Sequence, residues 1–217
     1  GLLFSFIEKE NFKVTDFENL IVEKSKLNPT NIRELTLIPL SYQTGYLTIA
    51  EFVDNDLVKL DFPNHEVESN FLLNLLDFLT ADKINRVDIY YLRNSLVKND
   101  EQQFIKYLNS IIADLKKVEI NQSESFKEFY QQLFYLIGKS LSNLHLKITS
   151  EILKTEDTVE LKIETENKQF LLSFNFGESP EVITRLQEKY EVEKDCTYIS
   201  VSFDPEKREI AELEIKS

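Results

Sequence analysis

Two runs of alternating apolar and polar residues lie on either side of the dipeptide at 166–167 in the second half of the sequence. Alternation with a period of two is typical of β-strands, and a two-residue interruption favours a tight hairpin. With 166–167 as the loop, Leu161 lies opposite Leu172 and Glu160 lies opposite Ser173. Because opposed residues share a face, this register predicts a hairpin with one apolar and one polar face.

The sequence around this hairpin predicts a compact α/β unit over residues 123–217. The apolar spacing after Ser123 indicates a helix to about Leu141, and the pair Ser179-Pro180 is typical of a helix start. In chain order, the predicted elements are a helix at 123–141, a strand at 147–153, the two hairpin strands, a helix at 179–190, and strands at 198–203 and 210–215. The order is therefore helix, three strands, helix, two strands.

Residues 1–122 are predicted to form a mostly helical region with one β-hairpin at about 46–62, where Gly45 and residues 54–56 mark turns. Periodicity of three to four predicts short helices around 17–21 and 32–42 and longer ones at 66–79, 88–96 and 104–115. The fold class is α/β, mixed with α+β features. The predicted domains are 1–122 and 123–217.

Composition narrows the classes of function. With 25 Lys plus Arg against 38 Asp plus Glu, the net charge is −13, which disfavours nucleic acid as a partner. The longest uncharged apolar-rich stretch, 71–76, is too short to cross a bilayer, and no glycine lies in a phosphate-binding loop. One cysteine excludes an internal disulfide, which favours a reducing compartment. Because residue 1 is Gly, we expect a piece of a longer protein.

Few residues offer catalytic or metal-binding chemistry. His65 and His145 lack His or Cys neighbours at ligand spacing, so no zinc site is expected, and Cys196 is interpreted as a small buried apolar residue. The polar face of the predicted hairpin carries Glu160, with Lys162 on the same strand and Ser173 and Asn175 on the next. A magnesium-dependent hydrolase needs clustered carboxylates, and this face supplies one at Glu160.

The order helix, three strands, helix, two strands resembles the PD-(D/E)XK nuclease superfamily. More specifically, residues 36–217 resemble bacterial proteins in which an AAA-ATPase-like domain precedes such a nuclease-like domain. The stretches that carry this resemblance are 42–49 (YQTGYLTI), 62–67 (FPNHEV), 129–136 (FYQQLFYL) and 201–208 (VSFDPEKR). The resemblance covers about four fifths of the chain and implies that residues 1–35 are the tail of the ATPase-like region.

The resemblance also implies where an active site would lie. The acidic residue of the first core helix falls on Glu128, and the aspartate of the second core strand falls on Glu160. The Glu-x-Lys pattern of the third core strand reads Ser173-Phe174-Asn175, so a metal-binding carboxylate and the catalytic lysine are both replaced. Lys162 is a candidate for a migrated catalytic lysine, and Asp157 or Glu164 is a candidate for a further carboxylate. The following helix carries Gln187 and Tyr190, whose spacing does not match the family's Gln and Tyr positions well.

These replacements favour a catalytically silent nuclease-like module that serves as a protein-interaction or scaffold domain in a larger bacterial protein, such as a toxin or effector. It would need no cofactor. One alternative is a Mg²⁺-dependent nuclease that cleaves DNA phosphodiesters with Glu128, Glu160 and Lys162. Another is a regulatory tail of an ATPase-like domain. The expected partners are a second protein and the upstream ATPase-like domain of the same chain. Nucleic acid is not expected as a partner, and no segment is expected to span a membrane. The expected location is the cytoplasm, bacterial or that of a host cell.

Overall fold

The computed structural model describes residues 2–10, 12–29, 35–120, 125–143, 149–177, 181–192 and 195–217. These residues contain seven α-helices and eight β-strands, which confirms a mixed α and β fold. They divide into two compact units, 1–78 and 79–217, whereas the sequence placed its domain boundary between 122 and 123. The helices predicted at 88–96 and 104–115 therefore belong to the second unit.

The first unit combines three helices with a small antiparallel sheet. The helices are α1 (Leu2–Lys9), α2 (Leu37–Gln43) and α3 (His65–Leu79), of which α3 ends one residue beyond the unit; the strands are β1 (Leu20–Glu23), β2 (Thr48–Phe52) and β3 (Leu57–Asp61). The strand order is β1-β3-β2. Phe71 of α3 is fully buried, and its ring contacts those of Phe17, Tyr46 and Phe62 at centroid distances of 5.1, 5.4 and 5.3 Å.

The predicted hairpin of this unit is confirmed, whereas the helix predicted around 17–21 is wrong. Residues 14–17 form a single 3-10 turn and residues 20–23 form β1, which pairs with β3. The spacing of Phe17, Leu20 and Ile21 therefore does not produce a helix. The helix expected at 32–42 begins at Leu37, and residues 30–34 lie outside the described part of the chain.

The second unit is built on a five-stranded sheet. Its strands are β4 (Thr149–Lys154), β5 (Thr158–Glu164), β6 (Lys168–Asn175), β7 (Asp195–Asp204) and β8 (Glu209–Lys216), and its helices are α4 (Arg86–Lys98), α5 (Glu101–Leu115), α6 (Phe126–Leu141) and α7 (Val182–Lys189). The sheet order is β4-β5-β6-β7-β8, with β6 and β7 parallel and every other pair antiparallel. From α6 onward, the order helix, three strands, helix, two strands is confirmed.

Helix α6 covers the apolar face of the sheet. The ring of Phe134 stacks on that of Phe174 at 4.3 Å between centroids and 15° between planes. A Cβ at Gly138 would collide with the Leu161 side chain, so the absence of a side chain there allows the helix to lie close to β5. The predicted start at Ser123 lies outside the described residues, and Ser125 is the residue that caps α6, accepting from the backbone NH of Glu128.

Two long side chains connect the helices of this unit to its other elements. Arg93 of α4 donates to the carbonyl of Ser140 at 2.7 Å, which joins α4 to α6. Arg208, in the turn between β7 and β8, donates to the carbonyl of Val118 at 2.9 Å, just beyond α5. Burial lowers the pKa of the Arg93 guanidinium, and the Tyr90 phenol opposes that effect.

Candidate functional site

The hairpin of β5 and β6 has the predicted register. Glu160 lies opposite Ser173 and Leu161 lies opposite Leu172. The Thr165 backbone NH donates to the carbonyl of Lys168 at 2.9 Å, which closes the two-residue loop. The even-numbered residues of β5 therefore share a face with the odd-numbered residues of β6, on the side of the sheet opposite α6.

Helix α7 covers that second face. Val182 and Leu186 of α7 pack against Leu171 of β6 and Cys196 of β7 in a small buried cluster. The apolar positions at 182, 183 and 186 are the buried side of the helix, and the basic residues at 185 and 189 lie one turn apart beside them. The packing of α7 on the sheet thus brings two cations to the middle of β5.

Glu160 is the centre of this arrangement. Its side chain is 3% exposed, and its Oε2 accepts from Lys189 Nζ at 2.5 Å and from the Tyr190 hydroxyl at 3.0 Å. Its Oε1 accepts from Arg185 Nη2 at 3.4 Å. The side chains of Arg185 and Lys189 are 42% and 38% exposed, so both cations keep contact with water while they neutralise a buried carboxylate.

Arg185 and Lys189 were not predicted as site residues, although the sequence contains a signal for them. Two like charges four residues apart repel each other on a helix surface unless an anion lies between them. Here the anion is Glu160, which lies 25 residues before Arg185 and 29 residues before Lys189 in the chain. Tyr190 was considered as a residue of the helix that follows β6, and the structure places it on Glu160.

Ser173 and Asn175, which the resemblance aligns with the Glu-x-Lys pattern, form hydrogen bonds with each other. Ser173 and Asn175 are 0% and 1% exposed, and the Ser173 hydroxyl donates to Asn175 Oδ1 at 2.9 Å. Asn175 Nδ2 lies within donating distance of the Ser173 carbonyl at 3.2 Å and of the Ser200 hydroxyl at 3.3 Å. These neutral groups satisfy one another inside the sheet, so neither contributes charge to the face that carries Glu160.

The other predicted site residues lie apart from this network. Lys162 Nζ is 3.1 Å from Glu164 Oε1, next to Glu160 on the same strand face but paired with its own neighbour. Asp157, in the turn before β5, forms an ion pair with Lys127 of α6 at 2.5 Å. Glu128 is exposed in the first turn of α6, on the opposite side of the sheet from Glu160. Glu128, Glu160 and Lys162 therefore do not converge.

This donor set does not fit a divalent cation of the kind that the nuclease alternative requires. Mg²⁺ takes hard oxygen ligands with negative charge, and both oxygens of Glu160 already accept from cationic or phenolic donors. A metal ion there would have to displace Lys189 and overcome repulsion from Arg185. Within the described ranges, no three or more His, Cys, Asp or Glu side chains form a group able to hold a metal ion.

The remaining candidate residues from the sequence are His65, His145 and Cys196. His65 opens α3 with its Nδ1 3.5 Å from Glu68 Oε2, and His145 lies outside the described residues. Cys196 is buried in the α7 cluster, as its interpretation from sequence predicted. Burial raises the pKa of the Cys196 thiol and that of the neighbouring Tyr198 phenol. An unreactive thiol follows from this placement.

Comparisons with models of protein families, with curated proteins and with solved structures give no match to this chain. Every helix in the described ranges is too short or too polar to span a lipid bilayer.

Proposed function

We propose that the α/β core from α6 to β8 is a nuclease-like module without catalytic activity, and that it serves as a protein-interaction or scaffold domain of a larger bacterial protein. The element order on which the resemblance to the PD-(D/E)XK superfamily rests supports the first part of this proposal. The electrostatics of the polar sheet face support the absence of catalytic activity, because the carboxylate of that face is neutralised by cations of α7 instead of being open to a metal ion or a substrate.

One observation carries the proposal: the carboxylate of Glu160 is buried beneath Lys189, Arg185 and Tyr190. Metal-dependent phosphodiester hydrolysis needs carboxylates that are open to a cation, and a further cation beside the attacking water. In this chain the carboxylate at the family's second core-strand position, Glu160, is occupied by protein cations. The positions of the second carboxylate and the lysine hold Ser173 and Asn175. A metal-binding carboxylate and a catalytic lysine each commonly lower the activation barrier by several kcal/mol through electrostatic stabilisation.

The experiment is a cleavage assay with linear duplex, supercoiled and single-stranded DNA in the presence of Mg²⁺ or Mn²⁺. We expect the chain and its Glu160→Gln variant to give the same background. Glu164→Gln is the matched control, since it removes a carboxylate from the same strand face. Cleavage that is lost in Glu160→Gln and in Lys162→Met, but retained in Glu164→Gln, would overturn the proposal in favour of the Mg²⁺ nuclease.

The proposed setting is the cytoplasm, with an upstream ATPase-like domain of the same polypeptide and a second protein as partners. A single, buried cysteine supports a reducing compartment. The net charge of −13 supports protein over nucleic acid as the ligand. A gel-shift assay with the same DNA probes tests this choice, and tight binding that persists at physiological salt would contradict it.

A further inference from the structure

Helix α4 exposes an apolar face. Val87, Tyr90, Tyr91 and Val97 are 52%, 51%, 43% and 43% exposed, although the opposite side of the same helix is buried through Ile89, Leu92 and Leu96. The exposed residues recur at spacings of three and four, so they form one stripe along the helix. We call this stripe the α4 outer face, and it consists of Arg86, Val87, Tyr90, Tyr91, Asn94, Val97 and Lys98.

Helix α5 supports one edge of the α4 outer face. The ring of Tyr107 stacks on that of Tyr91 at 4.9 Å between centroids and 15° between planes, and Tyr90 packs edge-on against Tyr91 at 5.4 Å. Lys106 Nζ lies 5.0 Å from the centroid of the Tyr107 ring. These contacts hold the rings in place before any partner arrives, which lowers the entropy cost of binding.

The charge of the α4 outer face is opposite to that of the chain. It carries Arg86 and Lys98 and no acidic residue, with Lys106 beside it, in a protein that has 38 acidic and 25 basic side chains. The acidic residue of α4, Asp88, lies off this face and accepts from the Ser110 hydroxyl at 2.6 Å. An apolar centre of Tyr and Val with a charged rim is the composition of a protein interface.

We propose that the α4 outer face binds an acidic, amphipathic segment of a partner protein. Apolar side chains of that segment pack on Val87, Tyr90 and Val97, and its carboxylates lie beside the cations of the rim. This deepens the interaction role proposed above by naming the chemistry of the partner. It does not depend on the absence of nuclease activity, so cleavage assays and peptide-binding assays can fail independently.

Two other occupants are less compatible with the same observations. Single-stranded nucleic acid binds by stacking bases on free aromatic faces, whereas Tyr91 and Tyr107 stack on each other and the valines offer no stacking surface. A second copy of this chain, related by a two-fold axis through the face, would place Arg86 and Lys98 against the same cations. An acidic segment meets no such repulsion from the face.

The test measures binding of the whole chain to three fluorescent helical peptides with apolar residues at i, i+3, i+4 and i+7. The apolar residue is Leu, Phe or Tyr, and every flanking residue is Glu. Each peptide has a counterpart with Lys in place of Glu. Fluorescence anisotropy is measured at about 0.15 M salt, where the screening length is about 8 Å and charge beyond the face contributes little. We expect an acidic peptide to bind at least about tenfold more tightly than its basic counterpart.

Variants locate the binding site. Val97→Glu should weaken the acidic peptide by about tenfold or more, because it places a carboxylate in the apolar centre. Val53→Glu is the matched control, since Val53 is 46% exposed, belongs to the first unit and lies outside the face. Lys98→Glu with Lys106→Glu, both at exposed positions, should reverse the preference between acidic and basic peptides. Unchanged far-ultraviolet circular dichroism checks that each variant is folded.

Several results would overturn the proposal. These are equal binding of acidic and basic peptides, no measurable binding of any acidic peptide, or loss of binding in Val53→Glu as large as in Val97→Glu. Binding of a single-stranded oligonucleotide that Val97→Glu abolishes would assign the face to nucleic acid instead. A dimer in light scattering that Val97→Glu dissociates would assign it to a second copy of the chain.

Discussion

Lys189 Nζ lies 2.5 Å from Glu160 Oε2, and this contact joins the last turn of α7 to the middle of β5. The carboxylate is buried, whereas the ammonium is partly in water. An ion pair of this kind contributes through the penalty for leaving the buried partner alone more than through attraction in the intact protein. The position that the nuclease resemblance gives to a metal ligand thus has a role in attaching a helix to the sheet.

Removal of this carboxylate should destabilise the second unit. We expect Glu160→Gln to lower the free energy of unfolding by about 2 kcal/mol, the usual scale for a hydrogen bond to a charged group. Lys189→Met should cost at least as much, because the carboxylate then stays buried with one cation fewer, and the double variant should cost less than the sum because the two side chains interact. Urea denaturation followed by circular dichroism measures all three. Glu164→Gln, at a half-buried position paired with Lys162, is the control. Strict additivity of the two single changes would contradict a direct interaction.

Gly138 of α6 should not tolerate a side chain. Alanine in a helix normally stabilises it by about 0.5–1 kcal/mol relative to glycine. Here the added Cβ would collide with Leu161 and lie 3.1 Å from Ile152 Cδ1, so Gly138→Ala should instead cost about 1–3 kcal/mol. Thermal denaturation measures the change. Gly177→Ala, whose Cβ would meet no atom within 4 Å, should have little effect and serves as the control. A stabilised Gly138→Ala variant would show that α6 does not lie this close to β5.

Tyr130 should make stability sensitive to alkaline pH. Its side chain is fully buried, its hydroxyl has no hydrogen-bond partner among the described residues, and burial raises its pKa to about 12, an effect that Arg208 partly opposes. The unfolded phenol has a pKa near 10. Between about pH 10 and pH 12 the folded state therefore keeps a proton that the unfolded state has lost, so stability falls as pH rises, by up to about 1.4 kcal/mol per pH unit.

Tyr130→Phe isolates that effect. At neutral pH we expect the variant to be as stable as the parent or more stable, because the change removes a buried hydroxyl without a partner. Above pH 10 the variant should gain stability relative to the parent. Urea midpoints at pH 7, 9, 10 and 11 measure the difference. A difference that stays constant over this range would contradict the raised pKa.

Cys196 should react slowly with alkylating reagents. The thiol is buried against α7, and burial raises its pKa, so little thiolate is present at pH 8. Iodoacetamide labelling followed by mass spectrometry should be slow for the folded chain and fast in urea. The chain has one cysteine, so a single mass addition reports on this site. Equal rates in the presence and absence of urea would show that the α7 cluster opens readily.

The register of β5 and β6 could be predicted because two local signals agree. Alternation fixes the faces of each strand, and the two-residue loop at 166–167 sets which residues oppose each other. Strand β1 could not be predicted, since residues 20–23 are short, alternate between half-buried and exposed, and depend on pairing with β3. The longer helices were predictable from their three-to-four spacing, within two or three residues at each end.

The candidate site was predictable only in part. The sequence placed Glu160 opposite Ser173, and the structure confirms this because the pairing is local. Arg185 and Lys189 reach Glu160 only after the chain crosses over through α7 to a parallel strand, and no local pattern gives the distance between them. For the same reason, helical periodicity shows which side of α4 is apolar but not that α4 packs in the second unit.

Strand β6 lies in the middle of the sheet, with every side chain buried and with β7 as its neighbour on one side. A fragment that stops before Asp195 would leave the backbone NH and C=O groups along one edge of this strand without hydrogen-bond partners. Such an edge pairs readily with other chains. Truncations upstream of β7 should therefore aggregate, and a protease cut between β6 and β7 that releases the C-terminal hairpin should have the same effect.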